Sequence, residues 1–105
     1  MENPSPNYSN TAVALLKANL GYYGEIPSEV ETYLLSLLDY AFRRLLLTAG
    51  IHLTPGDLMD DQLQVMYAAW LYRKGGEGTA KPPMLQEAIR DYQVSKAMGN
   101  QEVAE

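Results

Sequence analysis

Ser28-Glu29-Val30-Glu31-Thr32-Tyr33-Leu34-Leu35-Ser36-Leu37-Leu38-Asp39-Tyr40-Ala41-Phe42-Arg43-Arg44-Leu45-Leu46-Leu47-Thr48, followed by Ala49-Gly50, is the stretch that decides the fold class. It contains no internal glycine or proline, and its polar residues Glu29, Thr32, Ser36, Asp39 and Arg43 recur at spacings of three and four. On a helix that spacing gathers them into one narrow stripe and leaves the rest of the cylinder apolar. Ser28 and Glu31 have the spacing of a capping box, in which each side chain satisfies a backbone donor of the first turn. The expected helix runs to about Thr48 and stops before Gly50, a rod of about 30 Å at 1.5 Å per residue. So apolar a helix must be covered on most sides, either as the central rod of the fold or in part by another subunit.

The flanking segments carry the same helical punctuation. Upstream, Thr11 to Leu20 places Val13, Leu16 and Leu20 on one face, with Ser9 or Asn10 as cap and Gly21 to end the helix. Downstream, Thr54 reads as the cap of a third helix, with Pro55 at its first position and Asp57, Asp60 and Asp61 near its positive end. Met59, Leu63, Met66 and Trp70 form its expected core stripe, widened by Tyr67 and Leu71, with Trp70 buried against the long helix. Arg73-Lys74 then put cations at the negative end, ahead of Gly75-Gly76. A fourth helix follows Pro82-Pro83, aligns Leu85, Ala88, Ile89 and Tyr92, and is expected to end near Met98, before Gly99. The fold class is therefore all-α, a single domain of about four helices with a long central second helix. Its expected bounds are 11–98, between a flexible N-terminal arm at 1–10 and a flexible C-terminal tail at 99–105.

Composition narrows the function classes. The 105 residues are 47% hydrophobic and 20% charged, which suits one globular core. There is no cysteine, so neither a disulfide framework nor a thiolate metal site is available. The polar, proline-bearing start does not read as a signal peptide. Ser36, Asp39, Arg43 and Arg44 interrupt the most apolar stretch well short of the ~20 residues a membrane helix needs. A net charge of -5 and a pI near 4.7 argue against a chain that wraps free DNA.

Candidate chemistry is sparse. His52 is the only histidine and has no second nitrogen or sulfur ligand near it in sequence, so it reads as a loop histidine rather than a base or metal ligand. Asp57, Asp60 and Asp61 lack the calcium-loop pattern and are explained by the helix dipole. Gly75 to Lys81 lacks the Gly-Lys-Ser/Thr ending of a phosphate loop and leaves a helix rather than a strand, so it reads as a connector. No catalytic, cofactor or metal site is expected. The eight tyrosines say more, because tyrosine buries a ring while keeping one end wet and is enriched at interfaces. Tyr22 and Tyr23 are the expected partner-facing pair. Tyr40, Arg43 and Arg44 are the expected second surface, with Asp57, Asp60 and Asp61 as its charge complement on a neighbour; the alternative for Arg43 and Arg44 is ion pairing within the chain.

The segment Asp61-Gln62-Leu63-Gln64-Val65-Met66-Tyr67-Ala68-Ala69-Trp70-Leu71-Tyr72-Arg73-Lys74, a glycine-bearing loop and then Pro83-Met84-Leu85 resembles the tailed-phage head-to-tail connector (adaptor) family of phages and prophages of Gram-positive bacteria. Glu29 to Gly50, with Leu34-Leu35-Ser36-Leu37-Leu38 and the Arg43-Arg44 pair, also resembles it. The resemblance implies a structural subunit of a homo-oligomeric ring that docks on the phage portal protein and meets the next tail-side connector protein. Such a ring extends the DNA channel toward the tail, DNA passes through without sequence-specific binding, and the subunit ends up in the virion after assembly in the bacterial cytoplasm. Where basic residues are expected in the last helix, this chain has Gln86, Glu87 and Asp91, which argues against DNA contact by that helix. The alternative function is a small helical DNA-binding transcription regulator of prophage origin, with the second and third helices as a helix-turn-helix; the acidic balance and the lack of a basic recognition helix weigh against it.

Overall fold

A computed structural model describes residues 7–74 and 81–104, with side chains omitted at position 74 and from 97 onward. Four helices follow one another: α1 Asn10–Leu20, α2 Ser28–Ala49, α3 Leu58–Lys74 and α4 Pro83–Ala104. No strand occurs among the described residues. The all-α reading and the long second helix are both present.

Each helix start has a local cause, and two differ from the sequence expectation. Ser9 caps α1, its Oγ accepting from the Ala12 amide at 3.0 Å. At α2 the cap position falls to Pro27 and no side chain caps the turn. The expected Ser28–Glu31 box does not form, because the Glu31 carboxylate turns instead toward Lys17 of α1 at 3.6 Å. At α3 the cap is not Thr54. Thr54-Pro55-Gly56-Asp57 closes as a turn, with the Asp57 amide donating to the Thr54 carbonyl at 3.1 Å and Gly56 at φ +99°. Proline at the second and left-handed glycine at the third position are what a type II turn requires. Asp57 then caps α3, its Oδ1 accepting from the Met59 and Asp60 amides. Gly50 ends α2 in the left-handed conformation at φ +68°.

Contacts at both ends of each helix give the packing directions. Ser9 meets Asp61 and Asn19 meets Arg73, so α1 and α3 run parallel. Tyr33 lies against Tyr72, and Gln64 bonds the Leu38 carbonyl, so α2 runs antiparallel to both. Met84 and Leu85 lie beside Trp70 and Arg73, while Tyr92 lies beside Asp60, so α4 is antiparallel to α3 and parallel to α2. The hub of the packing is α3, which touches the other three helices. Leu63, Gln64, Val65, Tyr67, Ala68, Ala69 and Leu71 are all buried and cover about two-thirds of its circumference. Its remaining arc, with Met59, Gln62 and Arg73 exposed and Met66 and Trp70 half-buried, mixes apolar and polar residues and so shows little amphipathic pattern. The expected stripe is accordingly displaced: Met59 is exposed, Met66 and Trp70 are half-buried, and Trp70 faces α4 and Lys81 rather than the long helix.

The ends of the domain also differ from expectation. Within the expected N-terminal arm, Asn7 and Ser9 are bonded to the bundle, Asn7 through Asp39 and Gln64 and Ser9 through Asp61. The backbone of α4 continues through Gly99 to Ala104, where a stop was expected. One glycine costs a helix only about 1 kcal/mol, and Gln101, Glu102 and Ala104 beyond it are good helix formers. Residues 1–6, the connector at 75–80 and Glu105 lie outside the described residues.

Candidate functional site

The face that α2 turns inward determines the face it leaves out. Leu34, Leu37, Leu38, Ala41, Phe42 and Leu45 are buried and occupy one arc of the helix. Rotation of 100° per residue then places Tyr33, Tyr40, Arg44 and Leu47 along its edge. All but Arg44 among these four are exposed, and Leu47 is 76% exposed although it sits in the most apolar stretch of the chain. Arg43 stands beside them, its Nε donating to Asp39 Oδ2 at 2.8 Å in an exposed i, i+4 pair. Such a pair contributes well under 1 kcal/mol and is readily exchanged for another partner. Arg44 is half-buried and forms no ion pair among the described residues. Tyr40, Arg43 and Arg44 therefore do share one surface, and Tyr33 and Leu47, which the sequence reading did not single out, extend it.

The other expected surface residues are distributed differently. Tyr23 is 79% exposed, but Tyr22 turns inward, its hydroxyl 2.6 Å from that of Tyr72 with the rings edge to face. The Tyr72 hydrogen bond first, and burial second, raise the Tyr22 phenol above its ordinary pKa. The two tyrosines are thus split between the packed interior and solvent. Of the three aspartates, only Asp57 is exposed. Asp60 and Asp61 are 1% and 0% exposed, so neither is available to a neighbour as a charge complement.

What occupies these carboxylates is structural. Asp61 Oδ2 accepts from the Ser9 hydroxyl at 2.8 Å and Oδ1 from the Gly56 amide at 3.1 Å, which ties the α1 cap and the type II turn to α3. Asp60 Oδ2 accepts from the Thr54 amide at 2.7 Å. Its Oδ1 and the Tyr92 hydroxyl are both buried without a partner in hydrogen-bond geometry. They are nonetheless neighbours: burial first, then the Asp60 carboxylate, raises the Tyr92 phenol far above its ordinary pKa, so it stays protonated. Gln64, also buried, donates to the Leu38 and Asn7 carbonyls at 2.8 and 2.7 Å. One signal in the sequence points this way. Asp60 and Asp61 lie about 100° apart and both fall within the arc of Leu63, Val65, Tyr67, Ala68 and Leu71, an apolar side on which a carboxylate meets little solvent.

The remaining features among the described residues are a cleft and a loop histidine. A cleft of about 340 Å³ lies between the ends of α1 and α3 and the start of α4, lined mainly by apolar groups including Met66, Trp70, Met84 and Leu85. Its polar rim is self-satisfied, with Arg73 donating to the backbone and side-chain oxygens of Asn19. His52 is exposed and stands edge-on to Phe42, as suits a loop histidine. Among the described residues no group of three or more histidine, cysteine, aspartate or glutamate side chains could hold a metal ion. Among them also, no helix is long and apolar enough to cross a membrane. The candidate site is the Tyr33-Tyr40-Arg43-Arg44-Leu47 side of α2. No protein-family model, curated protein or solved structure matches this chain.

Proposed function

We propose that this chain is a structural subunit of a phage head-to-tail connector ring, docking on the portal protein and extending the DNA channel toward the next tail-side component. One observation supports it most. The bundle turns Asp60 and Asp61 inward to structural donors yet leaves Tyr33, Tyr40 and Leu47 in line on the long helix α2, beside two arginines. An ordered apolar and cationic edge on a small domain is the mark of a surface that another protein covers. A ring needs two different complementary surfaces on each copy, and a firm one-piece scaffold holds them at a constant angle. The net charge of -5 favours a lining along which DNA slides without sticking. The resemblance in α2 and α3 points the same way.

A DNA-binding regulator is less well supported. A recognition helix must offer a basic face to the major groove, whereas α3 is buried over most of its circumference and its first turn carries two aspartates. The connector reading is tested by deleting the gene from a phage that carries it and by measuring the mass of the protein with and without a purified portal ring. DNA-filled heads without tails, and a multi-copy complex on the portal, are expected. Normal tailed particles from the deletion, or no portal-dependent gain in mass, would overturn it.

A further inference from the structure

The α2 stripe lost its expected complement when Asp60 and Asp61 proved buried, and a different element carries a matching one. On α4 the residues that face α3 are Leu85, Ala88, Ile89 and Tyr92. Its opposite side presents Met84, Glu87, Asp91 and Val94, at i, i+3, i+7 and i+10, which is one line along a helix. All four are exposed, Met84 at 74%. On α2, Tyr40, Arg43, Arg44 and Leu47 fall at i, i+3, i+4 and i+7. Each stripe is thus a pair of like charges between two apolar residues, and the charges are opposite. The flanking charges are opposite too, Arg90 beside the α4 stripe and Asp39 beside the α2 stripe.

We infer that the Met84-Glu87-Asp91-Val94 stripe of α4 docks along the Tyr40-Arg43-Arg44-Leu47 stripe of α2 on a second copy of this chain, head to tail. The inference rests on the ring reading above and names its subunit junction. Because α2 and α4 run parallel within one copy, rotation about an axis along the bundle lays α4 of one copy beside α2 of the next in the same direction. With the two stripes centred on each other, Met84, Glu87, Asp91 and Val94 each fall within about 2 Å along the axis of Tyr40, Arg43, Arg44 and Leu47 respectively. The contact is heterologous, so both stripes of every copy are used, and a rotation that divides a full turn closes the assembly as a ring. The exposed Arg43–Asp39 pair is no obstacle, since it exchanges one carboxylate for another.

The full chain should associate reversibly in sedimentation velocity runs up to about 1 mM, the range of a weak junction, and association should weaken as salt rises. Reversing the α2 stripe (Arg43→Glu with Arg44→Glu) or the α4 stripe (Glu87→Lys with Asp91→Lys) should each weaken it tenfold or more, with circular dichroism and melting unchanged. An equimolar mixture of the two variants should restore it, because native stripes then meet native and reversed meet reversed. Should either reversal unfold the chain, Leu47→Ser and Met84→Ser carry the test, each expected to weaken association tenfold or more. Monomer at every concentration, association untouched by the reversals, or a folded mixture that fails to recover would overturn the junction. Rescue in the mixture, combined with normal tailed particles from the gene deletion, would keep the junction and remove the connector reading.

Discussion

Replacing Asp61 by alanine should be among the most damaging single changes in the first turn of any helix of this protein. The carboxylate is wholly buried and receives two hydrogen bonds, from the Ser9 hydroxyl and the Gly56 amide. A hydrogen bond to a charged group contributes about 1.5–3 kcal/mol, so two amount to about 3–6 kcal/mol. Relief from burying the charge offsets part of this, leaving an expected net loss of about 2–4 kcal/mol. A domain of this size has a total of about 5–15 kcal/mol, so the variant should still fold. Urea titration followed by far-UV circular dichroism measures the loss. Asp91→Ala on the exposed side of α4 serves as the reference, expected within about 0.5 kcal/mol of wild type. Ser9→Ala completes a double-mutant cycle with Asp61→Ala, and the two losses should fall short of additivity because they remove the same bond. If Asp61→Ala costs no more than Asp91→Ala, or if the cycle is strictly additive, the buried carboxylate does not tie the α1 cap to α3 as described.

Two further outcomes follow from the same polar seam. The Tyr92 phenol, raised above its ordinary pKa of 10.0 by burial and then by Asp60, contributes stability that is whole below pH 10 and is lost as pH rises through the folded-state value; denaturation at several alkaline pH values should show this loss reduced in Tyr92→Phe and unchanged in the exposed Tyr23→Phe. Gly56→Ala should cost about 1–2 kcal/mol by urea titration, through the backbone alone, since φ is +99° and an added Cβ would meet nothing within 4 Å; a neutral result would mean the turn is not of type II.

The helices and their order were legible in the sequence because they depend on short-range causes. Ser9, Gly21, Gly50 and Pro83 bound helices by backbone conformation and capping, which adjacent residues decide. The polar stripe of α2 gave its solvent side for the same reason, since helical periodicity is local. What the sequence could not supply is which helix the others surround. The long, leucine-rich α2 has the sequence of a central rod, yet α3 became the hub, and only three-dimensional contact reveals that. That choice reversed the meaning of Asp60 and Asp61. A carboxylate in a first helical turn is favoured by the dipole whether it is wet or buried, so the local signal is the same in both cases. The donors that make burial tolerable, Ser9, Thr54 and Gly56, come from chain segments that only the tertiary fold brings against α3. The same holds for the surface: Leu47 and Met84 look like core residues by type. They are exposed because the faces opposite them, toward α3, were already filled.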